Sequence, residues 1–331
     1  RVGHARAGPV RVSVAAVTVT LTYHEARARA LRRELDADPD LLVLGGSLSL
    51  PFNPDDGLAA SHPEHLLPPP ISELGTLGVG LGAAIGGLRT LVPISTASFV
   101  FYGWPALVLE AANVRYLSGG QTRAPLTVHM MAGSRRSGGA QHEHTAQAML
   151  QNVPGLRIYA PGTPTEVDAA IHAALTADDP CVIADHILLA GASGPVAETP
   201  EEPAIAIRRP GRDVLIVSYS VMLQRSLAAA EGLAADGLDV GVLSVPCLAP
   251  LAIDALVDAC SSFAAVLLVD ESRMPGSPAS HMLARLVQAG FAGRAALVCS
   301  LDAPASYATH LLDEIVPTEA RIADALRALI G

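Results

Sequence analysis

The stretch ISELGTLGVGLGAAIGGLRTLVPIST, residues 71 to 96, sets one carboxylate, Glu73, ahead of a run that carries no other charge until Arg89. Glycines space that run at 75, 78, 80 and 82. It reads as a loop, a closely packed helix and then a buried strand. Working outward, LLVLGG (41–46) is a short buried strand, and TYHEARARALRRELDADPD (22–40, read with Thr22 at its head) has helical periodicity. Beyond it, VLEAANVRYLSGG (108–120) is a helix with a glycine stop. APLTVHMMAG (124–133), LRIYAP (156–161) and PCVIADH (180–186) are strands, with a helix at 164–177. Strand and helix alternate, which implies an α/β fold with a mostly parallel sheet covered on both faces.

A composition shift follows. GASGPVAETPEEP (191–203) is rich in Gly, Pro and Glu without an apolar period, and it reads as an interdomain linker. After it, DVLIVSYS (213–220), LDVGVLSV (238–245), AAVLLVDES (264–272) and AALVCS (295–300) are strands separated by helical segments. This is a second, smaller α/β domain. The terminal PTEARIADALRALI (317–330) is a helix with Thr318 as N-cap. The expected organisation is an N-terminal extension over 1–20, a first domain over 21–190, a linker over 191–212 and a second domain over 213–331. The first ten residues or so read as an expression remnant, since the chain starts at Arg1.

The 331 residues suit about two domains. Half are hydrophobic (50%) and 16% are charged, which allows a large core and excludes a disordered chain. The formal net charge of −10 argues against nucleic acid or anionic membrane as a partner. All 22 basic residues are arginine, so no lysine of this chain can form a Schiff base. Cys181, Cys247, Cys260 and Cys299 are far apart and form no CxxC pair, so neither zinc nor a redox pair is signalled. No apolar run of about 18 residues and no signal peptide occurs, which gives the expectation of a soluble cytoplasmic protein.

No Walker motif, GxSxG, HExxH or metal-spaced cluster is present. The candidates are Glu73, the aromatic patch SFVFYGW (98–104) and the QHEH loop (141–144). On its residues alone, Glu73 reads equally as a dipole-stabilised acid at a helix N-terminus or as a catalytic group. The aromatic patch reads first as core. His142 and His144 read first as solvated loop histidines.

Taken together and in order, these pieces resemble the β subunit of the thiamine-diphosphate-dependent component of 2-oxo acid dehydrogenase complexes, the pyruvate, branched-chain and acetoin dehydrogenase β family. The carriers are LTYHEA, PPISELGTLGVGLGAAIGGLRTLVPI, ANVRYLSGGQTRAPLTV, GGAQHEHTAQAMLQNVPGLRIYAPGTP and DDPCVIADHILLAG, then GRDVLIVSY and EIVPTEARI. The resemblance runs from about Leu21 to Ile330. It implies a transketolase-like pyrimidine-binding domain followed by a transketolase C-terminal-like domain. It also implies thiamine diphosphate as cofactor, with Glu73 as the catalytic glutamate on the aminopyrimidine nitrogen. Phe99 matches the aromatic that stacks on that ring, and His142 the catalytic histidine that handles the substrate carboxylate and acyl transfer. A glutamate in this role needs a dry site, which its apolar neighbours suit. The family's GDG and asparagine motif for diphosphate and Mg²⁺ is absent here and belongs to an α subunit. The implied assembly is α2β2, with no metal ligand expected in this chain.

The sequence departs from the family pattern at several places. Gly46 and Ser47 stand for an acidic pair, Ser98 for an aspartate, and Pro105-Ala106 for a DQ pair, so that helix must start later or kink. His129 and Met131 replace an arginine and a proline, Asp270-Glu271-Ser272 replaces HEA, and Ala177 replaces an aspartate of a cation-holding loop. The first reading is decarboxylation of a 2-oxo acid with acyl transfer to a lipoyl domain. The alternatives are a specialised-metabolism paralogue that moves a two-carbon ketol or acyl unit onto a carrier protein or other acceptor, a non-catalytic scaffold β subunit, and the C-terminal half of a split transketolase.

Overall fold

The structure is a computed structural model in which residues 18–45, 57–134, 138–200 and 203–331 are described. The expected N-terminal extension lies outside the described residues up to residue 17, as do Gly46 and Ser47. The strands in chain order are β1 (Thr18–Thr22), β2 (Leu42–Val43), β3 (Thr90–Ile94), β4 (Leu126–Met131), β5 (Arg157–Tyr159), β6 (Cys181–Asp185) and β7 (Ser193–Ala197). The second half adds β8 (Ala206–Arg209), β9 (Val214–Ser218), β10 (Val240–Ser244), β11 (Cys247–Ala249), β12 (Ala265–Arg273) and β13 (Arg294–Ser300).

A six-stranded sheet runs β11-β5-β6-β4-β3-β2. Its pairings are parallel except β11 with β5. Its strands are buried on both faces, as covered parallel strands must be. On β4, Leu126, Val128 and Met130 face a core with Leu77, Leu81, Val100 and Leu107. From neighbouring strands, Leu91, Cys181 and Ile183 face the other way, against Tyr23, Leu31, Val167 and Ile171. The period of two in side-chain direction therefore serves two helix layers.

The second sheet runs β13-β12-β9-β10-β8, parallel except β10 with β8. The stretch expected as a linker carries two strands. β7 pairs antiparallel with β1, and β8 closes the edge of the second sheet. Both are short edge strands, where Gly, Pro and Glu are tolerated because the ladder is one-sided.

The helix ends follow from local chemistry. Thr22 caps the helix Tyr23–Ala37 in a full capping box with Glu25, and Thr318 caps Glu319–Ile330 through the Arg321 amide. Pro105 does not delay its helix, contrary to the sequence expectation. A wide π-type turn spans Pro105–Ala111 and runs straight into Ala112–Leu117. Proline fits there because the first turn has no intrahelical use for its missing N–H.

Candidate active site

The helix Glu73–Ile85 precedes β3 and packs on the sheet. As the crossover helix ahead of a parallel strand, it runs back along the sheet, which sets its N-terminus at the strands' carboxyl edge. The loops that leave β3 and β4 emerge at that edge side by side, because these strands are neighbours. Ligand sites of open α/β sheets form at this edge.

Glu73 is the first helical residue, after Ser72, whose Oγ accepts the Gly75 amide at 3.2 Å. It is half-buried, and Leu74 beside it is 50% exposed. The dry setting expected from the sequence is thus incomplete in the single chain. Gly80 explains the close packing of this helix: a Cβ there would lie 2.9 Å from Val92 and 3.0 Å from Leu44. Gly78 and Gly82, by contrast, face open space. The glycine run therefore has two faces, one closed on the sheet and one open.

After β3 the chain makes a 3₁₀ turn, Ala97–Phe101. Gly103 packs this segment onto the Glu73 helix, since a Cβ there would overlap Leu77 Cδ1 and lie 3.3 Å from the Glu73 carbonyl oxygen. Phe99 is half-buried and joins both sides. Its ring centroid lies 6.1 Å from Tyr102 and 5.1 Å from His142, the latter at 69°. Gly103 thus sets the segment that carries Phe99 against the backbone of the Glu73 helix, and the Phe99 ring in turn meets the His142 ring.

The His142 loop has its own scaffold. Thr96 donates its hydroxyl to the His142 carbonyl at 2.7 Å, and Gly138 donates its amide to Glu143 Oε1 at 2.7 Å. Ser98 Oγ lies 2.8 Å from His144 Nδ1, and the His144 ring stands edge-on to Phe101. Burial, helped by the nearby Arg273 charge, lowers the His144 pKa below its ordinary value. His144, read from sequence as solvated, is therefore half-buried and held.

The second half of the chain closes the loop from outside. Glu271 Oε1 accepts the Ser134 amide at 2.7 Å, and Tyr307 lays its ring against Gly139. His186 Nε2 stands 3.2 Å from Glu271 Oε2, within ion-pair range and outside hydrogen-bond alignment. Burial works to raise the Glu271 carboxyl, and His186 with the Ser134 amide outweighs it, so the acid is held below its ordinary range. Beneath the loop, Asp185 accepts from Tyr23 at 2.6 Å and pairs with Arg27 at 3.2 Å and His129 Nε2 at 3.0 Å. Burial opposes its charge, but these three partners hold its carboxyl well below the carboxylate range. His129 is thus committed to a buried network with Asp185. At Ala177, where the resemblance expects a cation-holding aspartate, Arg89 Nη1 donates to the backbone carbonyl at 2.6 Å.

Ser98 with His144 and His186 with Glu271 were not singled out as site groups from the sequence. The sequence named Ser98, His144 and Glu271 separately and connected none of them. Among the described residues, no group of three or more His, Cys, Asp or Glu could hold a metal ion, and no helix is long and apolar enough to cross a membrane.

The fold and this edge define a class. The pattern of the family described as Transketolase, pyrimidine binding domain matches residues 19–188, and that of Transketolase, C-terminal domain matches 204–322. The chain belongs to this transketolase-like family. More particularly, it is similar to the acetoin:2,6-dichlorophenolindophenol oxidoreductase subunit beta of Cupriavidus necator, 28% identical over 90% of this chain and 94% of that protein. It is 29% identical to the mitochondrial pyruvate dehydrogenase E1 component subunit beta-1 of Arabidopsis thaliana, over 96% of this chain and 90% of that protein. It is also 29% identical to the 2-oxoisovalerate dehydrogenase subunit beta of Bacillus subtilis, over 80% of this chain and 83% of that protein. A solved split-gene transketolase, described as an inactive beta4 tetramer, shares the fold with a TM-score of 0.76 at 19% identity, covering 96% of this chain and 99% of that one.

Proposed function

We propose that this chain is the β subunit of a two-component thiamine-diphosphate enzyme that decarboxylates a 2-oxo acid and passes the acyl group to a lipoyl domain. The observation that carries the reading is that Gly103 packs the Phe99 segment onto the helix that Glu73 opens, while the Phe99 ring meets the His142 ring. An acid at a helix N-terminus, a half-buried phenyl and an imidazole suit a planar aminopyrimidine. The similarity to three proteins named as β subunits supports the same class.

When bound, the cofactor supplies a nucleophilic carbon for attack on the substrate carbonyl. Glu73 would hold the aminopyrimidine nitrogen by a hydrogen bond, which would gain strength as water is excluded. Phe99 would stack on that ring. His142 would face the substrate and hand a proton to or from it. Thr96 keeps the His142 backbone in place.

The site is completed at an interface with an α subunit that holds the diphosphate and Mg²⁺. Two observations support this. Glu73 is only half-buried, and the face with Gly78, Val79 and Gly82 is uncovered in the single chain, Val79 being 54% exposed. A partner helix can approach closely where no Cβ stands in the way. The test is co-expression of the chain with an α-like partner. The pair should bind thiamine diphosphate, which the chain alone should not, and should release carbon dioxide from a 2-oxo acid. Transfer from a ketose phosphate, with no carbon dioxide from any 2-oxo acid, would overturn the substrate assignment.

A further inference from the structure

Two segments of the site are laced together with a repeat of two residues. Thr96 bonds the His142 carbonyl, and two positions on, Ser98 contacts the His144 ring. Phe99 meets the His142 ring at 5.1 Å, and two positions on, Phe101 meets the His144 ring at 5.6 Å. The 3₁₀ segment and the loop therefore advance in step, like two strands of a lattice made by side chains.

The rungs differ in what they demand of the sequence. Thr96 binds a backbone oxygen, so it accepts any residue at 142. Ser98 with His144 is a contact of side chain with side chain, and Ser98 is only 7% exposed. Two other bonds, Gly138 amide to Glu143 and His142 amide to the Gly139 carbonyl at 3.1 Å, lie within the loop. They give the loop its shape and do not place it on the sheet. Placement comes from the rungs, from the Gly133 amide on the His144 carbonyl at 3.0 Å, and from the contacts of Ser134 with Glu271 and of Gly139 with Tyr307. Residue 144 thus takes part in placement through both its ring and its backbone.

The chemistry of the rung is consistent with an uncharged imidazole near neutrality. Burial, joined by the Arg273 charge, disfavours the protonated ring. Nδ1 and a hydroxyl can then bond in either tautomer, because Ser98 both donates and accepts.

We propose that His144 is a positioning residue: its Nδ1 contact with Ser98 sets the register of the 138–144 loop on the 96–101 segment and so holds the His142 ring against Phe99. The consequence for turnover rests on the function proposed above; the placement of His142 does not. A misplacement of about 1 Å in a catalytic group can cost about a hundredfold in rate, so such a rung has functional weight.

The experiment uses the full chain with ¹⁵N-labelled histidine. Nuclear magnetic resonance reads the ring-current shift of His142 caused by Phe99. In Ser98→Ala the rung is gone. In His144→Gln the polar atom moves one bond outward, whereas His144→Asn keeps a polar atom at the Nδ1 position. The expected result is a His142 resonance displaced in Ser98→Ala and His144→Gln, and near wild type in His144→Asn. A His142 resonance unmoved in Ser98→Ala, or an Asn variant that behaves as the Gln variant, overturns the proposal. The dispersion of the other histidine signals reports folding in each variant. In the assembled enzyme, kcat should fall about tenfold or more in the two rung-breaking variants, with KM little changed. If the wild-type assembly turns over no 2-oxo acid, the functional reading fails while the resonance result still decides the placement.

Discussion

His186 Nε2 lies 3.2 Å from Glu271 Oε2, and the two residues belong to different halves of the chain. The same carboxylate holds the Ser134 amide at the start of the His142 loop. One buried acid therefore fastens the second half to the loop that carries a site residue. Glu271→Gln keeps the shape and removes the charge. Weakening the charged acceptor of the Ser134 amide in this way costs about 1.5–3 kcal/mol, measurable by urea unfolding at neutral pH. Gly133→Ala should act at the same place. Its Cβ would overlap Glu271 Oε2 and lie 2.7 Å from His186 Nε2, at a φ of +78°. Strain from that backbone alone costs about 1–3 kcal/mol. Unchanged unfolding in both variants would show that the pair holds nothing.

The Asp185 network gives a pH dependence with a definite sign. Its carboxyl is held below its ordinary value by His129, Arg27 and Tyr23 against the effect of burial. A depressed carboxyl contributes stability that is fully present above its unfolded pKa, about 3.9, and is lost as pH falls through the lower folded value. Asp185→Asn should therefore be destabilised by several kcal/mol at pH 7, because Arg27 loses its counter-charge in the interior. The gap between wild type and variant should stay level down to about pH 4 and shrink only below it. Denaturant midpoints measured from pH 7 to pH 3 check this. A gap that grows on acidification contradicts it.

The glycines of the Glu73 helix separate packing within the chain from packing on a partner. Gly78 and Gly82 have no heavy atom near the place of a Cβ. Alanine at either should stabilise the chain alone by up to about 1 kcal/mol through helix propensity. The same changes should weaken association with the α partner, read as a larger Kd by calorimetry. Gly103→Ala should do the reverse of the first effect. Its Cβ would overlap Leu77 Cδ1, and overpacking of this kind destabilises by about 1–3 kcal/mol. A stable Gly103→Ala chain with full affinity would refute the connection drawn between Glu73 and Phe99.

Much of this architecture was legible in the sequence, and the exceptions have physical causes. The continuous apolar runs of β3, β4, β6, β9 and β12 were visible because these strands are buried on two faces. β7, β8 and β11 were not, because short edge strands carry little apolar pattern. Pro105 misled, since a proline that breaks a helix interior is harmless in a first turn. Glu73, Phe99 and His142 were proposed through the resemblance, since on its residues alone Glu73 read equally as a helix-end acid, and the other two read first as core and solvated loop. The Ser98 and His144 contact could not, because the partners are 46 residues apart and meet only when β3 and β4 lie side by side. Glu271 and His186 come from different halves, so no local pattern connects them.

The most direct measurement compares Glu73→Gln with wild type in the complex assembled with the α subunit, as carbon dioxide released from a 2-oxo acid with thiamine diphosphate and Mg²⁺ present. Sedimentation is run alongside to confirm that both assemble equally. The expected result is intact assembly with turnover lowered about a hundredfold or more, since the variant can no longer share the aminopyrimidine proton. Full turnover in Glu73→Gln would contradict the assignment of this acid, and with it the proposed site.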